Sequence, residues 1–303
     1  MFGYLLSHLK HNKAKLLVAS IILISIIIVK VVLIDIVYVG QQYAKNRIIT
    51  PWGEKIKSAN LSVDYTIDQA VSDIEKLGLN TVNVPVQIDI LSLTANTMNV
   101  NSESKIKAIE LIKKLRYKGI NFILEPYPYI KNGELYETEL KPTDVNAWFW
   151  NWKQVVLGPL IKEVAKPYKV YAFCIGSNFD QIESAYSNWT DVADFVRANY
   201  TGRITYKTNW WYTAKWDTPK GGKNDTYTNK INNPVFSKVD FISVAAYFEL
   251  TDKDTNTVED LASALHSTQI FNRQQDVFTE LENLSTRWNK PGFFWRIGFS
   301  KKE

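Results

Sequence analysis

The sequence has one cysteine, Cys174, and three histidines, His8, His11 and His266. A single thiol excludes an internal disulfide. One histidine beyond the first fifty residues leaves no Cys/His metal cluster and no histidine-based triad, so no metal or other cofactor is expected. A basic surface is missing too, although the formal charge is +5. The first fifty residues hold Lys10, Lys13, Lys15, Lys30, Lys45 and Arg47 against Asp35. Removing these from 36 basic and 31 acidic residues leaves thirty of each sign. The neutral remainder carries no electrostatic footprint for nucleic acid. Carboxylates, amides and aromatic rings remain to do the chemistry, and aromatics make up 13% of the chain.

From Leu16 to Val29 only small or hydroxyl residues interrupt an apolar run, and Lys30 and Asp35 break its continuation to Gly40. The stretch reaches the length of about 20 residues that a spanning helix needs, and Lys10, Lys13 and Lys15 in front of it favour a cytoplasmic N-terminus. It exceeds the apolar core of about 7 to 15 residues found in cleaved signal peptides, and no small-x-small site follows. The expected organisation is a basic cytoplasmic segment at 1–15, an uncleaved signal anchor at 16–40 with Lys30 reaching the outer headgroups, a linker at 41–46 and one domain at 47–303. The domain then lies outside the cell membrane, carried on a single pass.

Past the linker, strand and helix patterns alternate. Arg47–Gly53 reads as a first strand ending near Pro51, Ile67–Leu77 as a helix stopped by Gly78, and Thr81–Val86 as a strand. Lys105–Leu115 is a second apolar helical stripe, and Asn121–Leu124 a third strand. Val170–Ile175 is too short for a helix and reads as a strand buried on both faces, opening at Gly176 and Ser177 into polar residues. Val192–Tyr200 and Phe278–Asn289 are helices; Arg203–Lys207 and Val239–Phe248 are strands five and six. Such alternation marks an α/β barrel or doubly wound sheet, and in a parallel barrel the chemistry sits where strands open into loops. Trp148 and Trp152 share a helix face and read as core, with Trp150 pointing elsewhere.

Phe173-Cys174-Ile175-Gly176-Ser177-Asn178-Phe179 resembles the fourth-strand segment of the (β/α)8 β-mannanases of glycoside hydrolase family 113, which ends in Gly-Thr-Glu-Leu. Further matches follow in order. Glu125-Pro126-Tyr127-Pro128-Tyr129 stands against Lys-Pro-His-Val-Asp, and Ile204-Thr205-Tyr206-Lys207-Thr208-Asn209-Trp210 against Leu-Thr-Tyr-Ala-Ala-Asn-Trp. Ala245 to Phe248 stands against Asp-Ala-Tyr-Phe, and Phe294-Trp295-Arg296-Ile297-Gly298-Phe299 against Phe-Thr-Glu-Ile-Gly-Tyr. The resemblance implies a TIM-type (β/α)8 barrel, ending here after the seventh strand. It also implies that the general acid/base falls on Asn178 and the nucleophile on Arg296.

Retaining glycosidases need two carboxyl groups about 5 to 5.5 Å apart. An Asn supplies no proton at neutral pH, and an Arg is always cationic with no lone pair to attack. Glu125, Asp180 and Glu183 are the carboxylates an inverting pair would have to use, and they read rather as solvated loop groups or partners for Arg296. The resemblance therefore implies a polysaccharide- or oligosaccharide-binding relative without catalysis, with Trp210, Asn209, Tyr247, Tyr127, Glu125, Asn178 and Arg296 lining the cleft. Asn178 and Arg296 are expected to donate hydrogen bonds to hydroxyls. An active hydrolase using other carboxylates is one alternative. The other is an assembly protein meeting a protein partner at the open barrel edge.

Overall fold

Alternating apolar and polar positions in the strands set up a curled sheet whose outer face is greasy and whose inner face is polar. The computed structural model describes residues 53–211, 230–251, 253–270 and 274–297, together with Lys30 and 49–50. The expected anchor at 16–40 falls outside these residues apart from Lys30. Among the described residues, no helix is long and apolar enough to cross a membrane.

The sheet has eight strands among the described residues: a short one, Asn99–Val100, set antiparallel beside the second of seven that run parallel, β1 (Ser58–Asn60), β2 (Thr81–Ile90), β3 (Asn121–Ile130), β4 (Ala172–Ser177), β5 (Arg203–Asn209), β6 (Phe241–Ala246) and β7 (Gly292–Ile297). Each pairs in parallel with the next in chain order. Its edges are β1 and β7, and among the described residues no ladder joins them. The architecture is that of a TIM-type barrel opened along one side.

The first strand is not where the sequence pattern placed it. Ile49–Thr50 folds back antiparallel on Gly53–Glu54, and the strand that joins the sheet is Ser58–Asn60. Pro51 sits between the two short pieces and lacks an N–H, so the segment turns instead of extending the sheet. Strands β2 and β3 run longer than their apolar cores suggest, to Ile90 and Ile130, and they pair without interruption over ten residues. The β3–β4 ladder has only two rungs, Ile123–Ala172 and Leu124–Phe173. It stops where Pro126 and Pro128 remove donors from β3.

Helices cover the outer face. They are α1 (Ile67–Lys76), α2 (Ser102–Leu115), α3 (Val145–Asn151, continuing in wider turns to Ala165), α4 (Tyr186–Asn199), α5 (Val235–Lys238), α6 (Val258–His266) and α7 (Val277–Trp288). Asn101 caps α2 by accepting from the Ser104 amide at 2.9 Å, and Thr257 and Asp260 form a reciprocal capping box on α6. Val82, Val84, Leu124, Phe173, Ile175, Ile204, Tyr206 and Val244 pack beneath these helices in the main core. Side-chain alternation then sends Asn83, Glu125, Cys174, Thr205, Lys207 and Ser243 to the inner face. A small second cluster of Ile123, Ala172, Cys174 and Phe241 forms its floor.

An aromatic block fixes β4 from behind. Trp148 and Trp152 stack with ring centroids 5.2 Å apart, and Phe179 and Trp189 join them. Both tryptophans are fully buried, whereas Trp150 is exposed. The indole of Trp152 donates to the Ile175 carbonyl at 2.8 Å and that of Trp189 to the Ile182 carbonyl at 3.0 Å. Gly176 is needed here, because a Cβ would lie 2.5 Å from the Trp189 ring and 3.0 Å from Tyr206. The segment from Ile175 to Glu183 is thereby held against a rigid aromatic wall.

Candidate active site

Glu125 belongs to the middle of β3 and not to the loop after it, so its side chain is trapped inside the curl. It is 2% exposed. Lys207, equally buried on β5, donates to its Oε1 at 2.5 Å, and the Ser177 hydroxyl donates to the same oxygen at 3.0 Å. Removing two charges from water costs several kcal/mol each, and close pairing with an extra donor is what makes their burial tolerable. Just below, burial pushes the Cys174 thiol up to about 12, and the Glu125 carboxylate adds to the effect. This cysteine is an inert core residue.

A second ionic group lies on the loop side of the same rim. Lys230 donates to Asp180 and to Glu183, at 2.7 Å each. Glu183 also accepts from Thr208 at 2.7 Å and Tyr206 at 3.2 Å, and Asp180 from the Asn209 amide at 3.0 Å. Burial pulls the Lys230 ammonium down while Glu183 and Asp180 push it up; the carboxylates win, and its pKa lies above the ordinary lysine value. Burial, reinforced by Glu183, drives the Tyr206 phenol well above its usual range. The reading of Glu125, Asp180 and Glu183 as solvated carboxylates is thus corrected. Glu125 and Glu183 are buried, all three accept from lysines, and the lysines are Lys207 and Lys230.

Asn178 follows β4 directly. Its backbone N–H donates to the Lys207 carbonyl at 2.9 Å, and its φ of 54° lies in the left-handed region that Asn tolerates better than most residues. The side chain turns toward β3, where its amide donates to Glu137 Oε1 at 3.0 Å. Only the nitrogen of an amide can donate to a carboxylate, so this bond fixes the orientation of the amide. The Oδ1 is buried without a partner. One of the two N–H donors of the Asn178 amide is thus engaged inside the protein. Arg296 is the Cα partner of Ala245, which also partners Asn209, so register sets position 296 on the rung of Asn209.

The three aromatic candidates stand at the carboxyl ends of their strands and differ in freedom. Tyr247, one residue beyond β6, is 37% exposed. Tyr127 is half-buried on β3, on the same face as Glu125. Trp210 follows β5 directly and is half-buried against the core, with Phe248 edge-on at 6.4 Å. It is partly a packing residue.

Lys207, Ser177, Lys230 and Glu137 complete the site and were missed in the sequence. Lys207 carried a readable signal, since a lysine two residues after Thr205 and two before Asn209 falls on one strand face. Lys230 and Glu137 come from polar loops and carried none.

The sequence model of glycoside hydrolase family 113 matches residues 52–303. The chain belongs to this family. Among solved structures, a GH113 β-1,4-mannanase superposes with a TM-score of 0.61 at 19% identity, over 80% of this chain and 72% of that one. The GH113 β-mannanase AaManA from Alicyclobacillus acidocaldarius, in complex with ManMIm, gives 0.57 at 18% identity over 76% and 65%. A complex structure of a GH113 β-1,4-mannanase gives 0.58 at 18% over 80% and 72%. At these identities the superpositions speak for the fold. A search of curated protein sequences found no match.

The Asn178–Glu137 bond yields a test. Asn178→Glu places two carboxylates within hydrogen-bond reach, where like charges oppose joint ionisation. The variant is expected to melt below the wild type at pH 8, with the deficit shrinking as the pH falls toward about 4 and one carboxyl takes up a proton. Equal melting at both pH values would show that the two side chains do not meet.

Proposed function

We propose that this member of family 113 binds a β-linked polysaccharide without hydrolysing it, and that the barrel domain is displayed outside the cell on the N-terminal helix. The observation that carries the reading is Asn178. By the fourth-strand motif it occupies the acid/base position, and its amide is tied to Glu137 at 3.0 Å. It has no proton to give at neutral pH. By the seventh-strand motif Arg296 occupies the nucleophile position, where a permanent cation opposes the charge that develops at an anomeric carbon. Glu125, Asp180 and Glu183 are engaged by Lys207 and Lys230, which argues against their use as acid and base. On this reading the glycan lies where the strands open into loops, beside Tyr127, Tyr247 and Trp210, since aromatic faces suit the apolar face of a pyranose.

Glu137 favours a second reading, residual hydrolysis. It is a buried carboxylate one hydrogen bond away from the acid/base position, with the Asn178 amide donating to it. Incubation with β-1,4-mannan separates the two. No release of reducing ends is expected from the unmodified protein; release that disappears in Glu137→Gln would establish the hydrolase. The assembly reading rests on the sheet edges β1 and β7, which no ladder joins among the described residues and which natural sheets usually cover.

Topology is tested independently. Three lysines before an apolar run of spanning length place the domain outside. Protease added to intact cells is expected to remove it, and a fully protected domain would reverse the orientation.

A further inference from the structure

The loop between β3 and α3 is built more rigidly than a connection requires. Lys131, Asn132 and Gly133 all have positive φ, at 47°, 58° and 84°, and two of them are not glycine. Backbone in this region is strained and persists only where the surroundings impose it. They do so here. A Cβ on Gly133 would lie 2.7 Å from the Tyr129 ring, so the turn is pressed onto β3. Leu135 then bridges back to Ile130, and Leu140 is fully buried. Two side-chain bonds fasten the loop to the segment after β4: the Asn178 amide to Glu137, and the Gln181 amide to the Thr138 carbonyl at 3.4 Å.

Between these fastenings stands Tyr136, 69% exposed. Its Cα is about 3.8 Å along the chain from that of Glu137, whose carboxylate reaches the end of β4. The turn and the buried clasp leave the Tyr136 ring itself in water beside the carboxyl end of β4, where it does no packing work. Aromatic rings with few rotatable bonds give up little entropy when a ligand stacks on them.

We propose that Tyr136 is a sugar-stacking residue that extends the cleft along the β3 side, and that the Glu137–Asn178 clasp positions it. On this account residue 178 has passed from proton transfer to holding a binding loop. A Glu at 178 would repel Glu137, so the clasp and a carboxylate acid/base exclude each other. The proposal rests on the glycan-binding reading above and names a further contact for it.

The test is calorimetric titration of the full chain, solubilised in detergent, with β-1,4-mannohexaose. Tyr136→Ala is expected to weaken binding by about tenfold, or about 1.4 kcal/mol. Its melting midpoint should stay that of the wild type, because the ring is exposed. Tyr136→Phe, which keeps the stacking face, should bind as the wild type does. Glu137→Ala should weaken binding as much as Tyr136→Ala, with no further loss in the double variant. If the wild type binds and Tyr136→Ala binds equally well, Tyr136 is no contact and the proposal is overturned while the glycan-binding reading stands. If Tyr136→Ala weakens binding but Glu137→Ala does not, the clasp is not the positioning device and that half of the proposal falls. If the wild type binds no β-linked mannan, cellulose or chitin oligomer, both fall together.

Discussion

The Glu125–Lys207 ion pair is the contact on which the inner face of this sheet depends. It joins β3 to β5 across β4, at the level where Pro126 and Pro128 have ended the β3–β4 ladder. Ser177 contributes its hydroxyl to the same oxygen, so all three strands meet at one carboxylate. A buried pair of this kind adds little net stability compared with an apolar filling, but losing either partner strands a charge. It therefore specifies how the strands sit more than how tightly they hold. Asn178 takes its position from the same place, since its backbone N–H bonds to the carbonyl of Lys207.

Seen against the family motifs, the changes inside the mouth form a set. Where those motifs read Lys on strand three, Ala on strand five and Glu on strand seven, this chain has Glu125, Lys207 and Arg296. Simple erosion of a catalytic pair would leave neutral or random residues. Here the carboxylate on β3 is paired with the lysine on β5 in the buried interior. The amide at 178 likewise finds a carboxylate partner in Glu137. On the proposed reading, a cleft that stabilised a transition state has become one that holds its own walls.

Much of the fold was legible in the residues. Apolar runs of strand length alternating with helical stripes located five of the seven parallel strands, the family resemblance supplied the seventh, and the fourth-strand segment was readable to within two residues. The first strand was not, because Ile48-Ile49-Thr50 reads as extended while Ile49–Thr50 pairs back on Gly53–Glu54, and Ser-Ala-Asn at 58–60 has no β-branched residue to announce it. The site was harder. Glu125 and Glu183 looked solvated because carboxylates are almost never fully buried alone, and their partners lie 82 and 47 residues further along the chain. Pairing across that distance is set by strand register, which a single sequence does not display. Glu137 was invisible for the same reason, 41 residues from Asn178 in a polar loop.

The central claim is that the inner face is organised by the coupled Glu125–Lys207 ion pair. A double-mutant cycle on Glu125→Gln and Lys207→Met, read by urea unfolding, tests it most directly. Each single substitution is predicted to cost about 3 to 5 kcal/mol by leaving a buried charge without its partner. The double substitution should cost little more than either one, giving a coupling close to the cost of a single substitution, about 3 to 5 kcal/mol. Additive losses, with no coupling, would contradict the account.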